Sequence, residues 1–142
     1  MNHQMHDKLA YDKHIFLAAR LRENPHLLQK VKEFHEDILK VGLAYSRRYY
    51  DAWSKAISEG VEAVIALVSD PGDQGQVIRS CSSFSPLWES YLEKLHFIRD
   101  WRLKHGQTTK VFDKMIEENN PNKFMEMFQK TYEESKNCTW NK

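Results

Sequence analysis

The chain has 142 residues, 41% of them hydrophobic and 29% charged, with 21 basic against 20 acidic side chains and a net charge of +1. That length suits one globular domain, and the balanced charge leaves no global field to attract nucleic acid or an anionic membrane. No apolar run approaches the ~20 residues of a membrane helix. The two cysteines, Cys81 and Cys138, lack metal-ligand spacing and fit a reduced, cytoplasmic setting.

The first ten residues, MNHQMHDKLA, are polar and carry no apolar core of a secretory signal, and residues 1–7 are expected to fray. Met1-Asn2-His3 has the donor order of a square-planar Cu(II) or Ni(II) site, although one histidine falls there readily by chance. Leu9 to Leu21 reads as a first helix, with Ile15, Phe16 and Ala19 among its apolar positions. Four prolines follow, at 25, 71, 86 and 121, each preceded by Asn, Asp or Ser. An N-cap residue followed by proline is the signature of a helix start, because the first helical position needs no N–H. All four therefore mark expected helix starts.

From Leu27 the apolar positions Val31, Phe34, Ile38, Val41 and Tyr45 step by threes and fours, a helical and heptad-like stripe that runs on through Tyr49, Trp53 and Ala56. Gly42 interrupts it, so two helices or one bent helix are expected. Such a stripe suits a helix packed lengthwise inside a bundle or against a second copy. Gly60 closes this stretch and VEAVIALV, 61–68, begins the next. After Pro86, Trp88, Leu92, Leu95 and Ile98 share one face, and Gly106 ends that helix behind the basic residues Arg102, Lys104 and His105. Val111, Phe112, Met115 and Ile116 mark a short helix. Phe124, Met127, Phe128 and Tyr132 mark another, and residues 136–142 are expected to fray. Sustained period-two alternation is absent. The fold class is therefore all-α: a single-domain bundle of about six helices over 1–142, without a sheet.

The segment SDPGDQGQVIRSCSSFSP, 69–86, interrupts the helical pattern. Gly72 and Gly75 suit a phosphate-cradling turn, but Asp70 and Asp73 occupy the place of an anion and no lysine stands where a P-loop needs one. A capped joint between helices is the better reading. Within it, Arg79, Ser80, Cys81, Ser82, Ser83 and Phe84 suit a buried turn in which serines tie off backbone groups and Arg79 pins carbonyls. They also suit the lining of a ligand pocket.

This segment resembles a group of small bacterial proteins with the pattern LLTxDSExGQRLRQSSPFAGVL, preceded by a stretch like LRENPHLLQKV. The matching positions are Leu21, Pro25, Leu27, Leu28, Trp53, Ala66, Leu67, Asp70, Gly75, Gln76, Arg79, Ser82 and Phe84, within residues 9–90. Ser83 stands where the pattern has proline, and Ser85-Pro86 replaces an Ala-Gly pair. Such proteins tend to be encoded near toxin–antitoxin or other mobile-element genes. The resemblance therefore implies a regulatory or interaction role, and it carries over no catalytic residues.

The chemistry-bearing residues point the same way. The seven histidines are scattered with no HExxH or paired spacing, so no metal site and no cofactor are expected, and Cys81 lacks a nucleophile context. The reading is a non-enzymatic protein–protein interaction or regulatory module of a bacterial mobile element, with a protein partner or a second copy and no membrane. Arg79, Ser82, Phe84 and Trp53 are the candidate interaction residues. The alternative is a nucleic-acid binder using Arg47, Arg48 and Tyr50 with Lys40 and Lys55, since basic and aromatic side chains together grip phosphates and stack bases.

Overall fold

A computed structural model of the chain describes residues 2–41 and 47–119. Every regular element among them is helical: α1 (His3–Glu23), α2 (Leu28–Val41), α3 (Arg47–Glu59), α4 (Val61–Val68), α5 (Asp73–Ser80), α6 (Tyr91–Lys104) and α7 (Lys110–Glu118), with single 3-10 turns at Pro25–Leu27 and Ser85–Leu87. The all-α expectation holds. Contacts gather the chain into two compact units, Met1–Glu89 and Ser90–Lys142. The expected Gly42 break, the helix start at Pro121, the Phe124 group, Met1, Cys138 and the frayed end all lie outside the described residues.

The first unit is built around α4. Eight residues long and apolar nearly all round, α4 buries Val64, Ile65 and Val68 and packs against α1, α3 and α5. Trp53 of α3 and Phe84 meet edge to face at 5.5 Å between centroids, and both are essentially without solvent exposure. The Trp53 indole donates its Nε1–H to the Ile78 carbonyl at 3.2 Å, so the largest core side chain leaves no orphan donor. Leu17 and Leu21 of α1 and Val31 of α2 complete the core, each burial contributing about 2 kcal/mol of transfer free energy. The turn from α3 into α4 needs φ +114° at Gly60, a backbone conformation natural to glycine.

Helices α2 and α3 pack side by side. His35 and Ser54 are 2.7 Å apart through their polar atoms, whereas 19 residues of continuous helix would hold them roughly 28 Å apart. The heptad-like stripe is thus folded back on itself. Along α2 it leaves the core, Val31 being fully buried and Val41 74% exposed, and on α3 it returns there at Trp53 and Ala56.

The prolines are only partly helix starts. Pro25 opens the 3-10 turn that runs into α2, and Pro86 lies in the 3-10 turn at 85–87. Pro71 stands outside α5, whose N-cap is Gly72. The true cap of α6 is Ser90, accepting the Glu93 N–H at 3.0 Å, and Asn2 caps α1 by accepting from Met5 at 2.9 Å. A proline ring fixes φ near −65°, which suits a 3-10 turn as well as an α-helix.

In the second unit, Leu95, Ile98 and Trp101 of α6 are buried. Gly106, at φ +69°, terminates α6 as the sequence suggests. Arg99 pairs with Asp113 of α7, and Arg102 donates to the Thr108 carbonyl at 2.7 Å while its guanidinium lies over the Phe112 ring.

Candidate functional site

The joint between α4 and the 3-10 turn at 85–87 collects most of the residues singled out by sequence. Asp70 Oδ1 accepts the Gly72 N–H at 2.9 Å, closing a local turn. The Asp70 carbonyl then runs so close to α5 that a Cβ on Gly75 would lie 1.9 Å from its oxygen. Arg79 Nη1 donates to that same carbonyl at 2.6 Å and to the Val68 carbonyl at 3.0 Å, and its guanidinium sits 4.9 Å from the Tyr11 ring centroid. Backbone oxygens therefore engage the Arg79 guanidinium, and the segment joins α4 to α5 and the 3-10 turn.

Ser82 and Ser83 each hold a buried histidine from a different helix. His14 of α1 donates Nδ1–H to the Ala10 carbonyl at 2.7 Å, so its Nε2 accepts from the Ser82 hydroxyl, also at 2.7 Å. Ser82 Oγ in turn accepts the Phe84 N–H at 3.1 Å, and His14 stacks on Phe84. Burial, reinforced by the charges of Lys13 and Arg79 against the Ala10 bond, pushes the His14 pKa from 6.5 down to about 4. Its neighbour Ser83 is fully buried and lies 3.1 Å from His35 Nδ1 of α2, while His35 Nε2 reaches Ser54 Oγ of α3. Burial also lowers the His35 pKa, against a bond to the Tyr50 backbone.

The His35–Ser54 spacing is that of a general base and a nucleophile, and the ring stands between two hydroxyls, those of Ser83 and Ser54. Cys81 Sγ donates to the Val77 carbonyl at 3.2 Å, and burial pushes its thiol up, away from the thiolate.

The sequence-derived interaction set is brought together, but inward. Trp53, Phe84 and Arg79 are 0%, 1% and 5% exposed, and Ser82 is half-buried against His14. These residues hold the unit together, so the expectation that they form a contact surface is corrected. The nucleic-acid set is dispersed. Tyr50 is buried beside His35 and cannot stack a base. Arg47 bridges Asp51 at 3.1 Å, Arg48 lies against its neighbour Tyr49, Lys40 bridges Asp37 at 3.6 Å, and Lys55 is exposed. Among the described residues no His, Cys, Asp or Glu cluster is arranged to hold a metal, and no helix is long and apolar enough to cross a membrane.

Sequence reasoning missed the open groove between α2 and α3, a space of about 650 Å³ and so within the ordinary range of ligand cavities. Leu28, Lys32, Glu36 and Leu39 line one side, Ile57 and Ser58 the other, with His35 and Ser54 also on its wall. The signal was present in the 4-4-3 spacing of the α2 residues, which follows one helical face, but it stood beside the more conspicuous core stripe. No family model, no curated protein and no solved structure matches the chain.

Proposed function

We propose that this chain is a non-catalytic protein–protein interaction module, regulatory in the manner of the bacterial mobile-element accessory proteins it resembles, and that its working face is the α2–α3 groove. The groove itself carries the reading. It follows roughly 16 Å of α2 from Leu28 to Leu39, with apolar Leu28 and Leu39 at the two ends, polar Lys32 and Glu36 between them, and Ile57 and Ser58 on the α3 side. That mixture of apolar anchors with polar edges suits an amphipathic helix laid lengthwise. The inward role of Arg79 and Phe84 fits the same picture, since a tightly tied joint keeps α2 and α3 in place behind the groove.

A photo-crosslinking residue substituted at Ser58, which is exposed and lines the groove, tests this in cells. Protein adducts are expected, and Leu39→Glu should suppress them. Adducts only with nucleic acid, or protein adducts that Leu39→Glu leaves intact, would overturn the assignment.

A further inference from the structure

We infer that the partner seated in the α2–α3 groove is a second copy of this chain, its α2 lying antiparallel to the first; the inference rests on the groove being the working face. The order of residues along α2 carries it. Lys32 and Glu36 are both exposed, line the groove and stand one turn apart, as oppositely charged i,i+4 neighbours. Other exposed pairs at similar spacing do close: Arg47 with Asp51 at 3.1 Å and Lys40 with Asp37 at 3.6 Å, as does Lys8 with the half-buried Asp12 at 3.1 Å. Lys32 and Glu36 form no such bridge with each other among the described residues.

A two-fold axis crossing α2 near residue 34 converts this pair into a reciprocal one. Lys32 of one copy then faces Glu36 of the other, and Glu36 faces the other Lys32, the self-complementarity that an isologous interface demands. The same register brings Leu28 beside Leu39 of the second copy to within about one residue's rise, ~1.5 Å, at both ends of the contact. Apolar pairs thus flank a charged centre, and each α2 occupies the other copy's groove to make a four-helix arrangement with the two α3 helices.

Charge reversal with rescue, read by light scattering after size exclusion and by sedimentation velocity, tests the pairing. The full-length protein should be dimeric at tens of micromolar in low salt. Lys32→Glu and Glu36→Lys should each weaken the dimer about tenfold or more, by placing like charges together. The double variant K32E/E36K should recover it. Both positions are exposed, so far-ultraviolet circular dichroism should be the same for all four proteins.

A wild-type monomer at 200 micromolar, or single reversals as dimeric as wild type, overturns the inference. If that monomer still forms Leu39-dependent adducts from position 58, self-pairing fails while the interaction module stands. If no adduct forms, both fail.

Discussion

Acidification should destabilise the first unit chiefly through His14. In the folded chain this ring is buried with both nitrogens engaged, and its pKa is about 4, against 6.5 when unfolded. The unfolded chain therefore binds the proton more readily. Stability conferred by the neutral ring is complete above about pH 6.5, declines as pH falls and is fully lost by about pH 4. A pKa difference of this size corresponds to about 3 kcal/mol over the whole window, of which about 2 kcal/mol is already gone at pH 5. Urea unfolding followed by tryptophan fluorescence at pH 7, 6 and 5 measures it, with His14→Gln as the reference that cannot titrate. His35, whose pKa is also lowered by burial, adds a slope of the same sign to both proteins. The difference between the two curves isolates His14. Parallel curves for wild type and variant, or a His14 titration midpoint near 6.5 by NMR, would refute the reasoning.

Gly75→Ala should cost about 2–4 kcal/mol, because its Cβ would collide with the Asp70 carbonyl and backbone must move. Gly72→Ala, three residues earlier, meets only the Asp70 carboxylate at 3.2 Å and should stay within about 0.5 kcal/mol in the same urea titration. Ser83→Ala removes the partner of His35 Nδ1 from a fully buried position and should cost about 1–3 kcal/mol, measurable as a lower urea midpoint at unchanged slope. Arg47→Ala combined with Arg48→Ala should leave both crosslinking from Ser58 and dimerisation unchanged. A loss of salt-dependent nucleic-acid binding in that variant would instead revive the basic-aromatic reading.

The chain breaks were legible where local chemistry alone decides them. Gly60 and Gly106 end α3 and α6 at positive φ, a conformation other residues rarely adopt, so one residue type is enough to mark the place. Prolines were less informative, since Pro71 and Pro86 satisfy their own backbone limits without starting an α-helix. Ser90, with Glu93 three residues on, carried a clearer start signal that the nearby Ser85-Pro86 pair overshadowed. The roles of His14 and His35 could not be read from the sequence. Their serine partners lie 68 and 48 residues away, and only folding brings them into contact. Trp53 and Phe84 looked like surface anchors for the opposite reason: large aromatics suit an interface and a core equally well, and packing alone decides between them.

The adjacency of Ser82 and Ser83 has a consequence for how the protein tolerates change. Two consecutive helices, α1 and α2, are fastened to neighbouring links much further along the chain, so neither fastening can be displaced without disturbing the other. One residue inserted between Cys81 and Phe84 would put both hydroxyls out of register together, whereas the same insertion after Gly106 would touch neither. Length variation should therefore be forbidden at this knot.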